Sequence, residues 1–357
     1  MLWPSDTRVG NLKGPLNKWI LGELGVQPHD VQRHNNPESA TRLRMAVSTA
    51  DGIPYMSWKL SDVVSQSGRV AIVTGANVGL GLETARGLAS TGCEVVLACR
   101  NDAKAESAKA DILAKLPATR ISCMSLDLSS LKSVRAFAAK YKKRRPTLDL
   151  LINNAGIMMP PYALTEDGFE SQIAANYLGH FALTGLLLPR LLATANSRVI
   201  SLSSLAHRWG TIRLSDLHFS KGFDARAGYS QSKLACLMFA YELQRRLARA
   251  GSDTISVAAH PGVSSTNLFH HFPLINTLLS PLARIALQSA AAGAGPTLYA
   301  ALGEDIEGGD YCGPKSLYEW RGAPVKVRSN RASRDEAVAA SLWNLSERAT
   351  GVRYLSD

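Results

Sequence analysis

From Arg69 onward, short runs rich in Val, Ile and Leu alternate with stretches of helical periodicity, and this alternation narrows the choice of folds more than any other feature of the chain. Strands are expected at residues 70–73, 94–98, 121–126, 148–152, 198–203 and 254–259. Helices are expected at 82–91, 102–116, 131–141, 176–194 and 227–249. Continuous apolar runs of this length suit strands covered on both faces. Strict alternation of strand and helix implies parallel pairing through right-handed crossovers. The expected architecture is therefore α/β: a doubly wound parallel sheet of the Rossmann type. Such sheets bind ligands beyond the carboxyl ends of their strands.

The 357 residues divide unevenly. Residues 1–66 mix Pro, Asn, His and Arg with one short apolar patch and read as an irregular or partly helical extension. Met56 opens a more regular pattern, so the first 55 residues read equally as an upstream start, a tail or a docking element. Residues 67–357 form one dinucleotide-binding catalytic domain without internal repeats. Within it, residues 263–288 are apolar, carry two prolines and follow a strand, which suits either a lid over a substrate pocket or a packed connection.

A chain with 46% hydrophobic and 19% charged residues buries a core of this size without staples. Its five cysteines are scattered with no CxxC pair, which argues against a zinc site or a disulfide framework and fits a reducing compartment. His270 and His271 are neighbours that share no helix face, and no carboxylate or thiol cluster joins them, so no metal is expected. The net charge of +11 is spread along the chain. Of its two denser runs, 140–145 reads as the exposed end of a helix and 321–334 lacks the aromatic interleaving of a single-strand binder, so no nucleic-acid partner is expected. No apolar stretch reaches the roughly 18 residues of a membrane span, and no secretory core opens the chain. A cytoplasmic protein is expected, with peripheral membrane contact and a homo-oligomer both compatible.

Two motifs carry chemistry. Thr74-Gly75-Ala76-Asn77-Val78-Gly79-Leu80-Gly81 closes the first strand and opens the first helix. Gly75, Gly79 and Gly81 allow a tight turn and close approach to a pyrophosphate, and the helix N-terminus offers free N–H groups to that anion. The turn between them, Asn77, Val78 and Leu80, would line the same site. At the end of the second strand Cys99 stands where many NAD-binding folds keep a carboxylate, and Arg100 follows. A guanidinium there pairs with a 2′-phosphate, so NADP(H) is favoured, with NAD(H) as the alternative. Asp127, followed by Leu128, either accepts from the adenine amino group or caps the next helix. Asn154, Ala155 and Gly156 end the fourth strand and let the chain pass close to a flat ligand.

The second motif is Tyr229-Ser230-Gln231-Ser232-Lys233. Positions i and i+4 share a helix face, and an ammonium beside a phenol favours the phenolate. Tyr229 then serves as a general acid or base. Ser204, at a strand end, would donate to a substrate oxygen. Asn176 would hold a water linking Lys233 to solvent. His207 either lines the pocket or lies at the surface, and Cys236 reads as a buried small apolar residue.

In this order and over residues 68–318, the chain resembles the short-chain dehydrogenase/reductase family. The motifs that carry the likeness are the glycine turn, Asn153-Asn154-Ala155-Gly156, Asn176, Ser204, the Tyr229/Lys233 pair and His260-Pro261-Gly262. It is most similar to the retinol dehydrogenase and protochlorophyllide reductase-like branch. The resemblance implies that Tyr229 exchanges the proton, Lys233 supports it and binds the nicotinamide ribose, Ser204 orients the carbonyl and Asn176 supports a proton relay. It also implies that Pro261, Gly262 and Thr266 touch the nicotinamide carboxamide. Two positions depart from the family: Asn77 stands where NADP-preferring members often carry a basic residue, and residues 1–55 do not resemble an apolar anchor. The expected activity is NADP(H)-dependent interconversion of an alcohol and a carbonyl on an apolar small molecule. Reduction of a C=C bond, a non-catalytic NADP sensor and a basic surface binder are the rival readings.

Overall fold

In a computed structural model, residues 58–263, 288–316 and 318–355 are described. Most of the expected extension, Met56, Thr266, His270, His271 and nearly all of the expected lid lie outside them. The sheet has eight strands: β1 (Val70–Thr74), β2 (Glu94–Cys99), β3 (Ile121–Ser125), β4 (Leu150–Asn153), β5 (Arg198–Leu202), β6 (Ile255–Ala259), β7 (Tyr311–Ser316) and β8 (Arg321–Lys326), in the order β3-β2-β1-β4-β5-β6-β7-β8. Every pairing is parallel except the last, where β8 runs back along β7. The six expected strands are all present, within a residue or two at each end. β7 and the reversed edge strand β8 extend them.

The helices are α1 (Gly79–Ser90), α2 (Asp102–Lys115), α3 (Leu131–Arg144), α4 (Gly179–Leu192), α5 (Ala225–Arg249), α6 (Ala290–Leu302) and α7 (Glu336–Thr350). All five residues of β1 are buried, and the strand's period of two sends them alternately to two cores. Val70 and Ile72 face Phe137 of α3, Phe181 and Leu187 of α4, Phe239 of α5 and Trp343 of α7. Ala71 and Val73 face Leu88 of α1, Ile112 of α2 and Leu298 of α6. This double cover is the physical reason the strand is apolar throughout rather than alternating.

Residues 58–66, expected in the extension, contribute to the second core instead. Leu60 packs there, and the Trp58 ring lies 5.5 Å from that of Tyr299. The helix expected at 176–194 is not continuous. A short turn, Ser171–Ile173, leads into a π-helical turn, Ala174–Leu178, before α4 begins. After α7 the chain turns through Gly351, at φ 63, and lays Tyr354 against Phe181 and Trp343. β1 and β4 are neighbours whose onward connections leave to opposite sides, so the crevice beyond Thr74 and Asn153 is the topological switch point.

Candidate active site

The glycine turn folds as its residues dictate. Gly75 and Gly79 hold φ of 65 and 56, the left-handed region that side chains disfavour. A Cβ on Gly75 would lie 2.9 Å from the Cβ of Ala155, and one on Gly81 would meet the Gly75 carbonyl and stand 2.5 Å from the Asn154 amide nitrogen. The missing side chains thus bring the start of α1 down onto the ends of β1 and β4. Val78, the residue before α1, gives no side-chain cap, so the first N–H groups of the helix stay available to an anion. Asn154 donates its amide to the Thr74 carbonyl at 2.7 Å and binds the two strand ends together.

A cleft of about 330 Å³ opens over this turn. Gly75, Asn77, Val78, Gly79, Leu80, Gly81, Arg100, Asp127, Leu128, Asn154, Ala155 and Gly156 all line it. Burial pushes the Cys99 thiol up to about 11, against some relief from the backbone N–H groups of Ala76 and Asn77, so the position carries no negative charge. Arg100 is exposed and has no hydrogen bond or ion pair among the described residues. Asp127 is not the cap of α3, since Ser130 fills that role. Its carboxylate closes its own loop, accepting from the Ser129 amide at 2.9 Å and hydroxyl at 2.6 Å.

A second cleft, about 310 Å³, adjoins the first across Leu80, Asn154 and Gly156. Ser204, Tyr229, Lys233, Pro261 and Gly262 line it, together with Met158, Met159, Leu205, Trp209, Val263 and Trp320. Tyr229 and Lys233 come from successive turns near the start of α5, whose N-terminus is capped by the Asp224 carboxylate accepting from the Ala227 amide at 2.7 Å. The Lys233 ammonium donates to the Leu202 carbonyl at 3.1 Å. The adjacent serines divide their work. Ser203 is buried and donates to the Lys233 carbonyl at 2.8 Å, holding β5 against α5. Ser204 faces the cleft and heads the 3-10 turn Leu205–Trp209.

Asn176 is not brought into either cleft. It is buried in the π-helical turn behind Gly156, and its amide is fully engaged. The oxygen accepts from the Ile157 amide at 2.8 Å, and the nitrogen donates to the Ile157 carbonyl at 3.0 Å and to Ser232 at 2.9 Å. Its carbonyl accepts from His180 at 2.9 Å and from Cys236 at 3.2 Å. The water-holding side chain expected from the sequence is thus placed as a brace between β4's extension and α5. Cys236 is buried, as its type suggested.

His180 went unnoticed in the sequence. Burial pushes its imidazole down to about 4. Thr74 accepts from the Asn154 and Ala155 amides, both at 2.9 Å; its hydroxyl lies 3.3 Å from the Ile152 carbonyl and 2.8 Å from His180 Nε2, and because the Asn176 carbonyl facing Nδ1 can only accept, Nε2 of the neutral ring is an acceptor for Thr74. The other ring nitrogen then carries the hydrogen donated to Asn176. One neutral side chain joins the glycine-turn strand to the π-helical turn. His207, expected at the pocket or the surface, is fully buried beneath the Ser204 turn, its Nδ1 donating to the Ser204 carbonyl at 2.7 Å. The apolar walls Trp209 and Trp320 were also missed. A Trp at the end of a short 3-10 turn or in a hairpin turn before an edge strand leaves no periodic signal.

This fold and these paired clefts define a nucleotide-dependent oxidoreductase, and the chain belongs to the short chain dehydrogenase family, whose profile matches residues 69–273. Within that family it falls in the retinol dehydrogenase-like branch. It is 43% identical over 293 residues to Retinol dehydrogenase 13 of Mus musculus, covering 80% of this chain and 84% of that protein. It is 40% identical over 293 residues to the Mus musculus Polyprenol dehydrogenase, covering 80% and 85%. A solved structure of an uncharacterised protein from Mycobacterium paratuberculosis shares 44% identity at a TM-score of 0.70, over 84% of this chain and 99% of that one.

Proposed function

We propose that this oxidoreductase uses NADP(H) to interconvert an apolar alcohol and its carbonyl, with Tyr229, Lys233 and Ser204 as its proton-transfer site. One observation carries the reading: these three side chains face a single cleft that shares Leu80, Asn154 and Gly156 with the cleft over the glycine turn. The first cleft fits a dinucleotide, because Gly75 and Gly81, where a Cβ would collide with Ala155, Asn154 and the Gly75 carbonyl, let the turn close tightly, and the uncapped N-terminus of α1 beside it suits a pyrophosphate. When bound, the nicotinamide supplies or accepts the hydride.

The chain's own residues do the rest. Ser204 donates to the substrate oxygen and holds it toward Tyr229. The Tyr229 hydroxyl gives or takes the proton on that oxygen. Lys233, pinned by Leu202, keeps a positive charge beside the phenol. Arg100, exposed and unpaired at the rim, binds the 2′-phosphate, and the neutral thiol of Cys99 does not oppose it. Met158, Leu205, Trp209, Val263 and Trp320 exclude water and favour an apolar substrate. The relatives' names, a retinol and a polyprenol dehydrogenase, point to the same substrate class. The test is cofactor consumption with NADPH and with NADH across aldehydes, ketones and retinal. Turnover of apolar aldehydes with NADPH preferred supports the proposal. A preference for NADH removes the role given to Arg100.

A further inference from the structure

The hairpin between β7 and β8 carries two consecutive non-glycine residues in the left-handed region, Tyr318 at φ 55 and Glu319 at φ 66. Side chains take that conformation at a cost, and it persists only where surrounding contacts impose it. The contacts here converge on Glu319. One carboxylate oxygen accepts from Arg208 at 2.7 Å. The other lies 3.0 Å from Nε2 of His260. His260 is fully buried, and its Nδ1 accepts from the Gly262 amide at 3.3 Å, so the ring hydrogen lies on Nε2. The His260–Glu319 pair lacks hydrogen-bond geometry, and neither buried atom has a hydrogen-bond partner among the described residues, so this contact acts through charge at close range while the hydrogen bond to Glu319 comes from Arg208. The same hairpin is stitched to the end of β6 by the Val263 amide, which donates to the Trp320 carbonyl at 2.8 Å.

Each partner of Glu319 sits next to a piece of the substrate cleft. Arg208 is in the 3-10 turn that Ser204 heads and precedes Trp209. Glu319 precedes Trp320, and His260 precedes Pro261 and Gly262. Both tryptophans line the cleft, yet Trp209 is 77% exposed and Trp320 48% exposed. Rings so little buried are not held by their own packing. Their backbones are held by the ion pair beside them. We infer that Glu319 is a positioning residue for the substrate cleft, fastening the Trp320 wall to the Ser204 turn and to the end of β6 so that the apolar walls keep a fixed separation. This rests on the reading of the second cleft as the substrate site.

The consequence is a dependence on substrate length. A short aldehyde needs only Ser204 and Tyr229, whereas a long one must also lie between the tryptophans. The experiment compares wild type with Glu319→Gln, which keeps the size and removes the charge, and with Arg208→Gln, which leaves the buried His260 contact in place. Each is assayed with NADPH and a series of straight-chain aldehydes from butanal to dodecanal. The expected result is a rise of about tenfold in KM for dodecanal in either variant, with kcat for butanal and KM for NADPH within about twofold of wild type. The double variant is expected to be no worse than the poorer single one, because both break the same link. A second measurement does not need turnover: amide hydrogen exchange within residues 205–210 and 318–326 is expected to quicken in Glu319→Gln. Unchanged dodecanal KM in both variants, equal losses for short and long aldehydes, or unchanged exchange would each overturn the inference. If wild type reduces no aldehyde, the functional reading falls, and the exchange comparison alone then decides whether Glu319 fastens the walls.

Discussion

The Lys233 ammonium nitrogen stands 6.0 Å from the centroid of the Tyr229 ring. Two contacts set its position. The Leu202 carbonyl holds it at 3.1 Å, and Gly156 lies so close that a Cβ on it would sit 3.3 Å from the same nitrogen. A fixed charge beside a fixed phenol needs no rearrangement when a proton moves.

Replacing Tyr229 with Phe removes the hydroxyl and little else. Turnover is expected to fall by about 10²–10⁴-fold, the usual worth of a positioned acid or base. NADPH affinity, measured by fluorescence titration, is expected to stay near wild type. Undiminished carbonyl reduction by this variant would end the proposed mechanism.

Arg100→Ala tests the cofactor preference. A charge-assisted hydrogen bond contributes about 1.5–3 kcal/mol, so KM for NADPH is expected to rise by about 10–100-fold. KM for NADH is expected to change little. Equal losses with both cofactors would show that Arg100 does not meet the 2′-phosphate.

Gly81→Ala sets two effects against each other. Alanine favours a helix over glycine by about 1 kcal/mol. The new methyl, however, would meet the Gly75 carbonyl and lie 2.5 Å from the Asn154 amide. Backbone cannot yield as a flexible side chain can, and overpacking of this kind costs about 1–3 kcal/mol. The clash is expected to win, lowering the melting temperature and weakening NADPH binding. A more stable variant with intact binding would contradict the packing described for the turn.

Stability is expected to fall in mild acid. Burial lowers His180 and His207 from 6.5 to about 4. For His180 the Asn176 carbonyl partly offsets burial, while the charge on Lys233 adds to it. Between pH 6.5 and 4 the unfolded chain binds a proton on each ring that the native state refuses. Native stability therefore drops as pH falls through that window and is level above it. Each ring accounts for up to about 3 kcal/mol. Denaturant midpoints from pH 7.5 to 5 measure the slope, and His180→Gln is expected to reduce it without abolishing it, because burial also lowers His207, His218 and His260. An unaltered slope in that variant would mean that the ring is not excluded from protonation.

The parts legible in the sequence are those under the strongest repetitive constraint. Strands covered on both faces are largely apolar, so β1, β2 and β4 to β6 announce themselves, and the edge strand β3 shows through Ile121, Cys123 and Met124. The glycine turn and the Tyr229/Lys233 spacing are set by backbone geometry and helix periodicity, and both appear where the spacing put them. The edge strands do not follow that rule. β8 reads Arg321-Gly322-Ala323-Pro324-Val325-Lys326, and charge and proline are what keep an open edge from pairing further, so it passes for a basic loop. α7 did carry signals, with Asp335 as its cap and Gly351 as its stop. Asn176 illustrates a different gap. Residue type suggested a water holder, but whether an amide is free or spent depends on neighbours such as Ile157 and Ser232 that no local pattern brings near. Glu319 is illegible for the same reason, since its partners lie at Arg208 and His260.

Tyr354 donates its hydroxyl to the Phe181 carbonyl at 3.0 Å, and Gly185 leaves the gap its ring occupies. The helix that follows Asn176 and carries His180 is therefore clasped by a residue synthesised well after Lys233. A nascent chain halted at Thr350 would already display the glycine turn, the serine and the tyrosine–lysine pair, yet lack the clasp that steadies their support. The support for the site is thus completed only after the residues proposed for the chemistry have been made.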